Sequence, residues 1–223
     1  MKIDGIIFDI DGTLWDVRDE IALALTREVH NQGHPEINFT PENLTPVFGT
    51  PPNEVADLFM PHLPPRERYK LMEDCGNRQI QLIESLHTDR TYPGVKATIK
   101  KLAQQYPLFI VSNCPSGYVR AFMRRNKLSP WITDYEEQGH TGLPKDKNIK
   151  LVMERSRLKS PVYIGDTKGD AESAKKAGTA FVWASYGFGH VDNPEYSIDD
   201  FTELHRLLDI CCLLYTSDAA DDS

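Results

Sequence analysis

The residues best suited to chemistry in this chain are paired carboxylates. Asp9 and Asp11 stand two apart in Phe8-Asp9-Ile10-Asp11-Gly12-Thr13, just after an isoleucine-rich run, Ile3 to Phe8. Asp166 and Asp170 stand four apart in Gly165-Asp166-Thr167-Lys168-Gly169-Asp170, just after Pro161 to Ile164. Two aspartates two apart, where a strand leaves a sheet, can both point into one cleft. Two that are four apart at the start of a helix lie one turn from each other. Such a set cannot stay charged in a confined cleft without compensation. A hard divalent cation is the least costly compensation, and magnesium suits a few carboxylates completed by water and a substrate phosphate. The candidate metal ligands are therefore Asp9, Asp11, Asp166 and Asp170. A third apolar run, Pro107 to Val111, ends in Ser112-Asn113. Ser112, Asn113 and the backbone N–H groups near Gly12 and Thr13 are neutral donors suited to phosphate oxygens. Lys145 adds the positive charge that a phosphoryl group needs.

These residues can meet only if separate elements deliver them. The runs 3–8, 107–111 and 161–164 read as buried strands that end in polar groups. Further short strands are expected at 131–133 and 179–184. Helical segments are expected at 95–105, 118–127, 148–157 and 171–177, the last closed by Gly178. Strands alternating with helices of about ten residues predict a parallel sheet, and ligands bind outside the carboxyl ends of its strands. Between residues 16 and 89 the pattern differs. Val17, Ile21, Leu25 and Val29 recur every four residues, 34–52 is rich in proline and asparagine, and a longer amphipathic helix is expected at 66–86. The fold class is thus α/β: a Rossmann-like core, residues 1–15 and 90–212, interrupted after its first strand by an all-helical cap, residues 16–89. The linkers near 14–17 and 88–93 form the hinge. The stretch 213–223 resembles translated vector or adapter sequence and is expected to be non-native or disordered.

The motif Asp9-Ile10-Asp11-Gly12-Thr13-Leu14 resembles the first signature of the haloacid dehalogenase-like hydrolase superfamily. Ser112 at a strand end, Lys145 after Gly142-Leu143-Pro144, and the acidic stretch 165–170 resemble its second, third and fourth motifs, in order and on the expected elements. The insertion after the first motif is similar to the cap of the subfamily that includes phosphoglycolate phosphatase-like enzymes and β-phosphoglucomutase. The resemblance implies that Asp9 is the nucleophile, giving an aspartyl phosphate. It implies that Asp11 is the general acid and base, and that Asp9, the Asp11 carbonyl and Asp166 hold magnesium. Asp170 then acts through water or orients Lys145. The segment GHTGLPKDKNIK departs from the usual spacing, so Lys147 and Lys150 compete with Lys145. Asp11 also favours phosphoryl transfer over dehalogenation, which lacks an acid there. Trp15 and Arg18, where the chain enters the cap, are candidate substrate contacts, alongside the stretch 46–50. The expected activity is a phosphatase acting on a small phosphorylated metabolite. A phosphosugar mutase would use the same residues, and a non-catalytic binding protein is a third reading.

Composition restricts the partners. The net charge is -8, which disfavours a broad nucleic-acid surface, and no stretch of 18 consecutive apolar residues suggests a membrane span. The N-terminus does not read as a signal peptide. The four cysteines form no C-x-x-C or alternating pattern, which favours a reducing compartment and predicts a cytoplasmic enzyme.

Overall fold

The computed structural model describes residues 3–208. Strand β1 (Ile6–Phe8) is wholly buried and is followed by the helical insertion. The insertion comprises α1 (Arg18–Asn31), α2 (Pro41–Leu44), α3 (Pro52–Phe59) and α4 (Pro65–Ser85). Proline marks the first position of α2, α3 and α4, where its missing N–H costs nothing and its fixed φ favours the turn. Thr40 and Asn43 close α2 with reciprocal capping bonds of 3.3 and 2.8 Å. The core then continues with α5 (Val95–Leu102), β2 (Leu108–Ser112), α6 (Tyr118–Arg125), β3 (Asp134–Glu137), α7 (Gln138–Thr141) and α8 (Lys145–Ser156). It ends with β4 (Val162–Gly165), α9 (Lys168–Ala177), β5 (Ala180–Ala184) and β6 (Tyr196–Ile198).

The six strands form one parallel sheet in the order β3-β2-β1-β4-β5-β6. Side chains alternate between its faces. Ile6, Phe8, Leu108, Ile110, Val162 and Ile164 join the larger core, whereas Ile7, Phe109, Val111 and Tyr163 pack with Ile149 and Val152 of α8 and Ala174 of α9. Both faces are covered, which is why the central strands read as unbroken apolar runs. The expected Rossmann-like core with a helical cap is the architecture found.

Several boundaries differ from the sequence reading. Residues 129–131 form a 3-10 turn, and the strand expected at 131–133 lies instead at Asp134–Glu137, with a polar sequence. Strand β6 has no counterpart in that reading, since only Ile198 of its three residues is buried. Helices α8 and α9 each begin three residues earlier than expected, and the earlier starts bring Lys145 and Asp170 into first turns.

The two linkers of the insertion pair with each other. Asp16 N–H donates to the Arg90 carbonyl at 3.0 Å and Tyr92 N–H to the Leu14 carbonyl at 3.1 Å. The expectation for 213–223 lies outside the described residues. Among the described residues no helix is long and apolar enough to cross a membrane.

Candidate active site

In a parallel sheet every strand points its carboxyl end to the same edge. Phe8 is level with Ile110 of β2 and Ile164 of β4. Asp9 directly beyond Phe8, and Ser112 and Asp166 two residues beyond their partners, therefore emerge at the same edge of the sheet. Asp9 N–H extends the ladder by donating to the Ile164 carbonyl at 2.9 Å. Beyond Asp9 the chain turns at once: the N–H groups of Thr13, Leu14 and Trp15 all donate to the Ile10 carbonyl. The turn requires glycine at position 12. Its φ is +82°, and a Cβ there would lie 2.1 Å from Asp166 Oδ2.

Carboxylate oxygens of Asp9, Asp166 and Asp170 all lie within 4.8 Å of one another, and all three residues are buried. Lys145 Nζ donates to Asp9 Oδ1 at 3.0 Å and to Asp170 Oδ1 at 2.6 Å. Thr141 and Asn148 brace its approach: the Thr141 hydroxyl donates to Asn148 Oδ1 at 2.8 Å, and Asn148 Nδ2 to the Leu143 carbonyl at 3.2 Å. Lys145 is thus the lysine that reaches the cluster, whereas Lys147 is exposed beside Asp146. Burial pulls the Lys145 ammonium down, but the charges of Asp170 and Asp9 outweigh it and hold the group above its ordinary value. Asp170 is also buried, yet Lys145 and the Thr167 hydroxyl and N–H hold its carboxyl below the usual range.

Asp166 is less compensated. Its Oδ1 accepts from the Thr13 hydroxyl at 3.1 Å and its Oδ2 from Phe188 N–H at 2.8 Å. Burial, then the charges of Asp170 and Asp9, push it well above the usual carboxylate range. One lysine cannot balance three buried carboxylates. The cluster, all oxygen and short of positive charge, fits a hard divalent cation.

The Asp11 carboxylate stands outside this cluster. Its Oδ1 accepts from the Tyr118 hydroxyl at 2.6 Å and from Trp15 Nε1 at 2.9 Å. Burial pushes Asp11 up to about 7, against the pull of the Tyr118 hydrogen bond. Asp9 is pushed up to about 6, again by burial, with Lys145 opposing. Ser112 is buried beside Asp9, and its hydroxyl draws that carboxyl down.

Trp15, Gly12, Thr13, Asn113 and Arg18, singled out in the sequence, have other surroundings, and Cys114 and the loop 186–189 lie close by. Trp15 is buried, edge-on to Tyr118 and Phe122, and reaches the site only through Asp11. Gly12 N–H is taken by the Trp15 carbonyl, and the Thr13 hydroxyl by Asp166. Asn113 Nδ2 donates to the Gly49 carbonyl of the cap at 2.7 Å. Arg18 is paired with Asp16 at 2.7 Å, donates to Thr45 and lies 4.1 Å over the Phe188 ring. Cys114 is buried, and burial raises its thiol well above the ordinary value, which suits packing. The loop Tyr186 to Gly189 packs on Asp166, where a Cβ at Gly187 would come within 2.2 Å of the Asp166 Cβ. Sequence reasoning missed Tyr118, which carries no local signal, whereas the glycines at 187 and 189 just after the last apolar run mark the loop whose Phe188 N–H meets Asp166.

Asp9, Asp11, Ser112 and Asn113 form the floor of a cavity under the cap. Its far wall is Ile21 and Leu25 of α1, Leu44 and Val47, Val55 of α3 and Met72 of α4. Phe48, beside it, meets Phe188 of the core edge-on with centroids 5.1 Å apart.

A family model described as haloacid dehalogenase-like hydrolase matches residues 6–184. Among curated proteins, the phosphoglycolate phosphatase of Vibrio parahaemolyticus is 26% identical over 220 residues, covering 89% of this chain and 93% of that protein. That of Aquifex aeolicus is 26% identical over 213 residues, covering 92% and 96%. Among solved structures, a predicted phosphoglycolate phosphatase from Haemophilus somnus superposes with a TM-score of 0.78 at 21% identity, covering 93% of this chain and 98% of that one. A β-phosphoglucomutase from Clostridium difficile gives 0.78 at 15% identity, covering 96% and 99%.

Proposed function

This chain belongs to the haloacid dehalogenase-like hydrolases, and we propose that it is a magnesium-dependent phosphomonoesterase working through an aspartyl phosphate on Asp9. The observation that carries this reading is the cluster of Asp9, Asp166 and Asp170, with Lys145 bridging two of them, at the floor of a cavity that Asp11 also lines.

The two floor carboxylates suit opposite tasks. Asp9, lower at about 6 and paired with Lys145, is the one ionised at neutral pH and able to attack phosphorus. Asp11, at about 7, retains a substantial protonated fraction there. As the ester P–O bond breaks, the Asp11 proton passes to the leaving alcohol oxygen. Asp11, now ionised, takes a proton from water. That water attacks phosphorus, breaks the acyl phosphate and releases inorganic phosphate with Asp9 restored. Lys145 offsets charge on the phosphoryl oxygens, and the Asp170 ion pair keeps the lysine in place. Magnesium, held by Asp9, Asp166 and Asp170, would polarise the same oxygens when bound.

A mutase would hand the phosphoryl group to a sugar hydroxyl with the same residues. The cavity wall offers a hexose few hydrogen-bonding partners, so hydrolysis is the reading adopted. The test is phosphate release from an aryl phosphate such as p-nitrophenyl phosphate. Release requires magnesium, stops with EDTA and is lost in Asp9→Asn. Well-folded protein that releases none, or an Asp9→Asn variant that still turns over, sinks the proposal.

A further inference from the structure

The cavity wall opposite the reacting aspartates says something about the alcohol that leaves. A substrate bound with its phosphoryl group at Asp9 has to lodge its alcohol part between the floor and the cap. There it meets Ile21, Leu25, Leu44, Val47, Val55 and Met72. Among the described residues that line this cavity there is no lysine, arginine or histidine. The charged side chains in the lining are Asp9 and Asp11, and both are acidic. The polar groups away from the floor are the Thr50 hydroxyl and the Gln79 amide. Arg18 is spoken for by Asp16, Thr45 and the Phe188 ring, and lines a different hollow, with Asp19 and Glu42. The Asn113 amide nitrogen is spent on the Gly49 carbonyl, and its Oδ1, buried on the floor without a partner, is left as an acceptor for a single hydroxyl.

A second anion on the substrate would therefore lose its water without gaining a cation, and would face two carboxylates. A polyhydroxylated alcohol would leave most of its hydroxyls unpaired against leucine, isoleucine, valine and methionine. A mainly apolar chain leaves few polar groups unpaired on entering and removes apolar wall from water. We infer that the substrate of this site is the phosphate monoester of a short, uncharged and mainly apolar alcohol, and is neither a phosphorylated carboxylic acid nor a sugar phosphate. The inference rests on the phosphomonoesterase reading and narrows it. It separates this chain from what the names of its curated relatives would suggest, and the separation lies in the cap wall, since the catalytic floor is indifferent to the leaving group.

The experiment compares kcat/KM, with saturating magnesium, for ethyl, propyl, butyl and pentyl phosphate, 2-phosphoglycolate and ribose 5-phosphate. p-Nitrophenyl phosphate serves as the activity control. The unbranched alkyl alcohols leave with similar intrinsic ease, so differences among them report burial. The expected result is a rise of roughly 4-fold per methylene until the cavity is full, the factor that burying one CH2 provides. 2-Phosphoglycolate and ribose 5-phosphate should fall at least about 100-fold below butyl phosphate, as expected when buried polar groups stay unpaired. Val55 is only partly buried on α3 and can take a longer side chain. Val55→Arg should raise the phosphoglycolate-to-butyl phosphate ratio by about 10-fold or more, the effect of one added ion pair.

A flat alkyl series, or a wild-type preference for 2-phosphoglycolate or ribose 5-phosphate over butyl phosphate, overturns the inference. An unchanged ratio in folded Val55→Arg removes its electrostatic half. Should that variant not fold, the wild-type series decides alone. In each of these cases turnover of p-nitrophenyl phosphate leaves the phosphomonoesterase reading standing. Failure of every ester, the control included, removes that reading and this inference together.

Discussion

Both hydrogen bonds to Asp11 fall on one oxygen. With Oδ1 accepting from Tyr118 and Trp15, the proton of the acid form is assigned to Oδ2, the oxygen left for transfer. Asparagine at this position keeps an acceptor for the same two donors and removes only the proton. Asp11→Asn should therefore fold normally and lose about 10²- to 10⁴-fold in kcat on an alkyl phosphate, the usual share of a general acid. On p-nitrophenyl phosphate, whose leaving group needs no proton, the first step should survive while the second lacks its base. Stopped-flow should show a burst of one equivalent of nitrophenol per enzyme, followed by slow turnover. Equal losses on both esters, with no burst, would exclude the assigned role. At this scale the sequence was informative where chemistry clusters. Asp9 with Asp11, and Asp166 with Asp170, announce themselves by spacing. Tyr118 does not: it lies 107 residues from Asp11, and a tyrosine opening an amphipathic helix reads as ordinary core.

Helix α6 carries Tyr118 in its first turn, and that turn is held from outside. Gly117 before it has no side chain to cap with, and its φ of +95° is left-handed. The capping comes from Glu137 at the end of β3, which accepts from Gly117 N–H at 2.5 Å and Val119 N–H at 3.0 Å. A carboxylate over a helix N-terminus meets both the free N–H groups and the positive end of the dipole. Glu137→Ala strands two largely buried donors and should cost about 3 kcal/mol in urea unfolding. Glu137→Gln retains an acceptor and should cost about half as much. If both variants unfold with the wild type, the cap is dispensable. This device also explains a misreading. Asp134-Tyr135-Glu136-Glu137 has no apolar alternation, so the strand was expected at the more apolar 131–133. Here the strand is fixed by pairing with β2 and by partners for its carboxylates, Arg155 for Glu136 and α6 for Glu137. Strands β1, β2 and β4 were legible because both their faces are buried, whereas β6, Tyr-Ser-Ile, has one buried residue and forms no apolar run.

Across the whole molecule, the inserted cap was legible as a change of hydrophobic period, and the sheet as the resumption of short apolar runs. Their joint consequence, carboxylates meeting beside a cap, was expected from the strand ends, and the structure adds that Asp9, Asp166 and Asp170 are all buried within 4.8 Å of one another. That consequence can be tested through stability. In the metal-free protein Asp9 is raised to about 6 and Asp11 to about 7 from an ordinary 3.8, and Asp166 is raised well above 3.8. A carboxyl raised on folding contributes stability that is fully present below its unfolded value and is lost as pH rises through its folded value. Glu137, also raised by burial, acts in the same sense. Asp170, lowered mainly by Lys145 against the cost of burial, acts in the opposite sense, but below pH 3.8. Lys145, raised, loses its contribution only in alkali. Metal-free protein should therefore lose stability as pH rises from about 4 to about 7, by a few kcal/mol in total. A divalent cation binds the folded state alone and favours the ionised carboxylates, so saturating magnesium should raise Tm most at pH 8 and flatten the slope. Asp166→Asn removes one of the repelling charges. Melting curves in EDTA should then show a shallower fall with pH than the wild type, and magnesium should add little. An EDTA profile flat from about pH 4 to 7, or an Asp166→Asn variant that gains as much from magnesium as the wild type, would mean that the cluster is not the cation site.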